Sequence, residues 1–276
     1  MGRAVTRVLA VAALLAGCAV SVPPIEGVVW QIDNDHTVPR GDWQQLGVHR
    51  LLVQWTVVDG RAFVAGTGLP AGARMPDWPR IAREPWAQEV IVGLAGRFDE
   101  RNARADFEAL VRLSAQVAKA VPPVNVVGYY FPVEIDPTWK QASRLRALLA
   151  QLPRPLWISV YDTANVGPEE LAQGLVDWLP PDVGVFFQDG VGVHAREPLV
   201  ARHYANVLVR RLGRHRVRLI AEAFRPQPGG GFRPATVEEL RPQLASYHGF
   251  AIYLFEGPRY VSPQLVRALA AAQDPK

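Results

Sequence analysis

Short apolar runs alternate along the chain with segments of helical spacing, and this alternation restricts the fold more than any other feature. Apolar runs of this length indicate buried strands, while apolar residues three and four apart indicate helices. Strands that alternate with helices form parallel βαβ units, and eight units close into a barrel. The eight predicted strands are residues 28–32, 50–56, 89–94, 126–131, 156–161, 183–187, 217–221 and 250–254.

Predicted helices fill most of the intervals between these strands. Pro168 and Thr236, each followed by two glutamates, are typical helix starts, and Gly213 ends a long helix. The intervals at residues 42–46 and 60–79 carry only weak helical signals. Helical spacing occurs at residues 107–113, 142–152, 169–178, 198–212, 237–244 and 265–271.

The predicted fold is therefore a single (β/α)₈ TIM barrel of the α/β class. Such barrels take about 250 residues, and the chain has 276, of which 49% are hydrophobic. An open doubly wound sheet is the alternative. No Gly-x-Gly-x-x-Gly follows the first predicted strand, so a dinucleotide site is not expected.

The first residues have the pattern of a targeting segment. Arg3 and Arg7 precede an apolar run at residues 8–15, which is well short of the about 20 residues of a membrane-spanning helix. We predict a signal peptide at residues 1–17 and a barrel domain at residues 27–276.

Cys18 is the only cysteine, so no internal disulfide can form. The segment Leu15-Ala-Gly-Cys18 resembles the bacterial lipoprotein box, in which the cysteine is lipidated and becomes the mature amino terminus. Ala19, where an aspartate would favour the inner membrane, implies by the same resemblance a periplasmic protein anchored in the outer membrane. Residues 18–26 are accordingly predicted to be the lipidated cysteine and a short extended tether.

Several classes of function lack support in the sequence. The net charge is only +4 and the arginines are scattered, so nucleic acid is not an expected partner. No Gly-x-Ser-x-Gly motif occurs, and the six histidines are dispersed. Asp33, Asp35 and His36 could form at most a weak oxygen-rich metal site. No cofactor or metal is expected.

Acidic residues and amides end several of the apolar runs, and a parallel barrel brings such ends to one rim. Glycosidic cleavage requires two carboxyl groups, one to protonate the leaving oxygen and one to attack or to activate water. Glu134 follows the fourth strand and Glu222 the seventh, across the rim from each other. A role for Glu134 in capping the next helix is the alternative.

This placement resembles the retaining TIM-barrel glycoside hydrolases, whose acid/base follows strand four and whose nucleophile follows strand seven. The resemblance implies that Glu134 is the acid/base and Glu222 the nucleophile. In that clan Asn usually precedes the strand-four glutamate, whereas Val133 stands here.

Further residues at the strand ends are candidates for substrate binding. Aromatic rings could stack on sugars or pack in the barrel, and amides could bind sugar hydroxyls or one another. Glu256 is a reserve carboxylate or a partner of Arg259. The predicted binding residues are Trp30, Gln31, Gln54, Trp55, Tyr130, Tyr161, Gln188, Asp189 and Glu256.

Three segments, Leu52 to Val57, Gly128 to Asp136 and Phe187 to Gly192, together with Trp30-Gln31 and Ala221-Glu222, resemble the bacterial domain of unknown function 4434 family. The resemblance implies a glycoside-hydrolase-like TIM barrel. The expected function is hydrolysis of a bacterial polysaccharide by a retaining mechanism. The alternative is a non-catalytic envelope lipoprotein that binds glycan or a secretion-machinery protein.

Overall fold

Eight parallel strands close into a barrel, so the fold predicted from the alternation of apolar runs is confirmed. The structure is a computed structural model that describes residues 21–273. Each strand pairs with the next, and the last pairs with the first. The strands are β1 (Gly27–Trp30), β2 (Arg50–Val53), β3 (Glu89–Gly93), β4 (Val126–Ile135), β5 (Leu156–Val160), β6 (Val183–Gln188), β7 (Val217–Glu222) and β8 (Ile252–Phe255).

Helices surround the barrel, and the long ones lie where helical spacing predicts them. Within the described part of the chain, none is both long and apolar enough to cross a membrane. The helices are α1 (Trp78–Ile81), α2 (Glu100–Ala105), α3 (Phe107–Val117), α4 (Leu145–Leu149), α5 (Pro168–Trp178), α6 (Pro198–Leu212), α7 (Val237–Ala245), α8 (Gly257–Tyr260) and α9 (Pro263–Gln273).

The two intervals with weak helical signals have irregular connections. Only a short 3₁₀ helix, Trp43–Leu46, separates β1 from β2. After β2 the chain forms a small sheet in which Val57–Val58 pairs with Arg61–Ala62 and with Ala95–Gly96. This sheet adds a layer beside the carboxyl-terminal end of β2 and β3.

Strand β4 continues four residues beyond its predicted end at Phe131. Its pairing with β5 shifts between Phe131 and Glu134, where Glu134 lies opposite Ser159. Pro132 lies in this irregular part, and proline has no N–H to donate to the ladder. Glu134 is therefore a strand residue, and the alternative that it caps the following helix is wrong.

One residue from each strand fills the middle of the barrel. Phe186 is central, with ring centroids 4.9 Å from Tyr253 and 5.7 Å from Tyr130. Because side chains alternate along a strand, the residue two positions further on points into the same interior, nearer the mouth. The interior layer is Val29, Leu52, Ile91, Tyr130, Trp157, Phe186, Ile220 and Tyr253.

Residues 21–26, which are part of the predicted extended tether, pack against the amino-terminal end of the barrel. Val22 and Ile25 are buried. The Glu26 carboxylate accepts hydrogen bonds from Arg50 at 2.6 Å and from Arg218 and Tyr253 at 3.1 Å. The segment therefore belongs to the folded domain. The predicted signal peptide and Cys18 lie outside the described residues.

We expect Glu26→Gln to lower the free energy of unfolding by about 1–3 kcal/mol, because the amide leaves Arg218 and Tyr253 without their charged acceptor. Glu89→Gln is the matched control, since Glu89 also pairs with Arg50 and is partly exposed. That control should cost less than about 1 kcal/mol. Urea unfolding of both variants measures the difference, and equal losses would contradict the anchoring role of Glu26.

Candidate active site

Glu134 and Glu222 both lie at the carboxyl-terminal mouth of the barrel. Glu134 lies near the end of β4 and Glu222 ends β7, with β5 and β6 between them on the rim. Glu222 is two positions beyond Ile220 in the interior layer, so its side chain enters the mouth. The two carboxyl groups interact electrostatically, because the charge of Glu134 contributes to the raised pKa of Glu222.

A bridging amide holds the Glu134 carboxyl in the mouth. Gln188 donates from Nε2 to Glu134 Oε1 at 2.6 Å and to Ser159 Oγ at 2.7 Å. Ser159 in turn contacts the Tyr130 hydroxyl. Burial raises the pKa of Glu134, whereas the Gln188 hydrogen bond and the charge of Arg104 lower it. The predicted residue Gln188 thus contacts the predicted acid directly.

Glu100 is a further carboxylate, next to Glu134, and it is not among the residues predicted from the sequence. Its Oε1 accepts a hydrogen bond from the Glu134 backbone N–H at 2.7 Å. Burial and the charge of Glu134 raise the pKa of Glu100 to about 8. Asp99, which accepts from Asn102 N at 2.8 Å, caps the start of α2 and so positions Glu100. That cap is the one sequence signal that could have located this residue.

Glu222 lies under the loop that follows β6 and is only 3% exposed. Its Oε2 accepts a hydrogen bond from Val193 N at 3.3 Å, and the Gly192 N–H also contacts the carboxyl. A Cβ at residue 192 would lie 2.6 Å from Glu222 Cβ, so only glycine permits this approach. Burial and the neighbouring Asp189 charge raise the pKa of Glu222 to about 8.

Asp189 lies behind Glu222, and its carboxylate does not face the mouth. It is fully buried. Its Oδ2 accepts hydrogen bonds from Gln243 Nε2 at 2.6 Å and from the Tyr247 hydroxyl at 2.8 Å. The prediction that Asp189 orients the sugar is therefore wrong, because its side chain is directed away from Gln188 and into the protein.

Three of the predicted aromatic stacking residues are packing residues. Trp30 is buried against Trp78, with ring centroids 5.7 Å apart. Trp55 is buried, and its Nε1 donates to a backbone oxygen at 2.7 Å. Trp30 comes one position after an interior-facing residue of its strand, so it points outward. Trp55 lies two residues beyond the end of β2. Tyr130 belongs to the interior layer itself. The prediction that these three rings stack on sugars is wrong.

Partly exposed rings remain around the mouth. Tyr161 is one of the predicted residues, and the Arg196 guanidinium lies 5.7 Å from its ring centroid. Phe98 is 49% exposed and rests edge-on against Trp55 at 5.0 Å. Phe232 is 45% exposed and contacts another ring in the loop after β7. Phe98 and Phe232 were not predicted, because neither belongs to an apolar run.

Glu256 is buried and binds protein groups, which was its alternative role. Its Oε1 accepts from Gln31 N at 2.9 Å, and Arg259 Nε lies 3.2 Å from Oε2 without hydrogen-bond alignment. Burial raises the pKa of Glu256 to about 7. Gln31 accepts from Arg259 at 3.0 Å. Gln54 is partly exposed, yet its buried Oε1 has no hydrogen-bond partner.

The weak metal site does not assemble, because Arg259 pairs with Asp33 where a cation would be needed. Over residues 21–273, no group of three or more His, Cys, Asp and Glu side chains has a geometry suited to a metal ion.

Two grooves lie outside the mouth and contain neither Glu134 nor Glu222. One of about 550 Å³ runs between α5 and the segment after β4, beside Trp139 and Trp178. Another of about 700 Å³ lies between α6 and α7, beside Leu199 and Pro242.

We expect the free energy of unfolding to fall as the pH rises from about 4.5 to about 8. In this range folded Glu222 retains a proton that the unfolded chain, with an ordinary pKa of 4.5, releases. Glu222→Gln should reduce this slope by up to about 1.4 kcal/mol per pH unit. Urea unfolding at several pH values tests this. Glu169→Gln, an exposed substitution on α5, should keep the wild-type slope, and an unchanged slope in Glu222→Gln would contradict the raised pKa.

No family model matches this chain. The uncharacterized protein YbcH of Escherichia coli (strain K12) is 27% identical over 200 residues, covering 61% of this chain and 66% of YbcH. The match thus spans slightly less than two thirds of that relative's length. A crystal structure of chitinase from Chromobacterium violaceum ATCC 12472 has a TM-score of 0.48 and 11% identity, covering 90% of this chain and 98% of that chain.

Proposed function

We propose that the protein hydrolyses glycosidic bonds in a bacterial polysaccharide, with Glu134 and Glu222 as its catalytic pair. One observation carries the proposal: two glutamates from strands β4 and β7 enter the same mouth, and both have a raised pKa. A pair of carboxyl groups that resists double ionisation keeps one proton near neutral pH. Glycosidic cleavage needs such a pair, with one acid and one carboxylate.

The proposed reaction has two steps. One carboxyl gives its proton to the glycosidic oxygen, the bond from that oxygen to the anomeric carbon breaks, and the other carboxylate attacks that carbon. Water then attacks the anomeric carbon while the first group takes its proton, and the bond from that carbon to the second carboxylate breaks, which releases the sugar. The resemblance to the retaining TIM-barrel glycoside hydrolases implies that Glu134 is the donor and Glu222 the nucleophile, but the order depends on which group holds the proton beforehand.

The mouth offers groups that suit a sugar. Tyr161, Phe98 and Phe232 present partly exposed rings, which can stack on the apolar face of a pyranose. The unpaired Oε1 of Gln54 is a buried acceptor that a sugar hydroxyl would satisfy. We propose these residues, with Gln188, as the substrate contacts.

We further propose that the protein acts in the periplasm, tethered to the outer membrane through lipidated Cys18, and that it belongs to the domain of unknown function 4434 family. The lipoprotein box and the matching segments support both statements.

A second candidate function is glycan binding without cleavage, in which case an envelope protein is a further possible partner. The burial of Glu222 under the Gly192 loop favours it, because a nucleophile or acid must reach the bond that breaks.

A screen of bacterial polysaccharides with the chain from Val20 onward tests the proposal. The wild type should release reducing ends from at least one glycan. Glu134→Gln and Glu222→Gln should each lower the rate by about 10²–10⁴-fold. Glu169→Gln on the outer face of α5 is the control and should keep the wild-type rate. Activity that survives both active-site substitutions would contradict the assignment, and binding without any product would favour the second function.

A further inference from the structure

Asp189 has a hydrogen-bond donor at each of its acceptor positions. Oδ1 accepts from Val191 N and Glu222 N, both at 3.2 Å. Oδ2 accepts from Gln243 Nε2 at 2.6 Å and from the Tyr247 hydroxyl at 2.8 Å. A carboxylate has about four lone-pair sites, so a proton on Asp189 would displace one of these donors. Only the Tyr247 hydroxyl could turn to accept.

The orientation of the Gln243 amide is fixed by a neighbouring arginine. Gln243 Oε1 accepts from Arg225 Nη2 at 2.7 Å, so Nε2 must face Asp189. Arg225 is itself held by the backbone oxygens of Phe224 at 2.7 Å and of Glu222 at 3.2 Å. Gln243 therefore lies between the positive charge of Arg225 and the Asp189 carboxylate. Burial raises the pKa of Asp189 above its ordinary value, and the four surrounding donors offset part of this rise. Since the amide cannot turn, the geometry favours the ionised form.

The Glu222 carboxyl has much weaker support for a negative charge. It accepts hydrogen bonds from the backbone N–H groups of Gly192 and Val193, and the distance from Val193 N to Glu222 Oε2 is long, at 3.3 Å. The charged and titratable groups that act on it are Asp189 and Glu134, which disfavour its ionisation, with Tyr161, Tyr247 and Arg225 nearby.

Glu134 differs from Glu222 in having a short side-chain hydrogen bond to its carboxylate. It accepts a hydrogen bond of 2.6 Å from Gln188, and Arg104 lies close enough to donate to its backbone oxygen at 3.0 Å. The amide donor and the guanidinium favour the carboxylate form, whereas burial and the charge of Asp136 oppose it. Arg225 likewise donates to the Glu222 backbone oxygen, so the short Gln188 hydrogen bond is what distinguishes the two acids.

We infer that Asp189 is a positioning residue that stays ionised behind Glu222 and keeps the Glu222 carboxyl protonated, so that Glu222 donates the proton and Glu134 supplies the carboxylate. The donor role rests on the proposed function, whereas the protonation does not. The proton of Glu222 passes to the glycosidic oxygen as its bond to the anomeric carbon breaks, and Glu134 attacks that carbon. This order is the reverse of the one that the resemblance to the retaining glycoside hydrolases implies.

Carboxyl ¹³C NMR of the full-length protein labelled on glutamate and aspartate tests the protonation without any substrate. Glu222→Gln identifies the Glu222 resonance by its loss. In the wild type this resonance should titrate near pH 8, and in Asp189→Asn its midpoint should move down by one pH unit or more. A wild-type midpoint below pH 5 would overturn the inference, as would an unmoved midpoint in a folded Asp189→Asn variant.

Asp162→Asn is the matched control. Asp162 is also fully buried and accepts from Gly167 N at 3.2 Å and from the Tyr204 hydroxyl at 2.7 Å. The Glu222 midpoint should not change in this variant, and a shift equal to that of Asp189→Asn would overturn the specific role of Asp189. If Asp189→Asn does not fold, the wild-type midpoint decides the inference alone.

Leaving-group dependence separates the donor role from the proposed function. Cleavage of a 2,4-dinitrophenyl glycoside needs no proton donor, because dinitrophenolate is a good leaving group without protonation. A panel of such glycosides with different sugars is therefore tested. Glu222→Ala should therefore retain the wild-type rate of the first step, measured as the initial burst of dinitrophenolate, on any member that the wild type cleaves, while Glu134→Ala should lose this burst. Equal loss in both variants would overturn the donor role. If the wild type cleaves no glycan and no aryl glycoside, the proposed function fails while the NMR result still decides the protonation.

Discussion

The buried Asp189 carboxylate is the interaction on which the candidate site depends. It accepts from the backbone N–H groups of Val191 and Glu222 and from the side chains of Gln243 and Tyr247. These donors come from the loop after β6, the end of β7, helix α7 and the segment that follows it. A buried charge is costly unless it is fully hydrogen-bonded, so the four segments are held in one arrangement. The position and protonation of Glu222 both follow from that arrangement.

Gln188 and Asp189 show how two adjacent residues control both acids of the mouth. Gln188 shares the inward direction of Phe186 and binds Glu134 and Ser159. Asp189 turns the other way and holds Glu222 from behind. The next glycines let the loop fold over Glu222, where a side chain at Gly192 would collide with the carboxyl. The segment after β6 therefore supplies the Gln188 amide that binds Glu134. It also supplies the Asp189 charge behind Glu222 and the loop that covers Glu222.

Periodicity was enough to predict the barrel and the rim position of Glu134 and Glu222, because strand ends and the βαβ order are local features of the sequence. The same periodicity also distinguishes rim residues whose side chains point into the mouth from those that point outward. Counting in twos from the interior layer keeps Gln31, Gln54 and Gln188 in the mouth and turns Trp30 outward. Glu100 and the Asp189–Gln243 contact could not be predicted this way, since both depend on where a helix packs against the barrel.

Asp189 and Glu222 have different neighbours, and this difference decides which of them holds the proton. Asp189 is saturated with donors and Glu222 is not, so the proton belongs to Glu222. Neutron diffraction from a deuterium-exchanged crystal at pH 7 measures this directly. We expect a deuteron on the Glu222 carboxyl and none on Asp189 or Glu134. A deuteron on Asp189, with a bare Glu222 carboxylate, would contradict it.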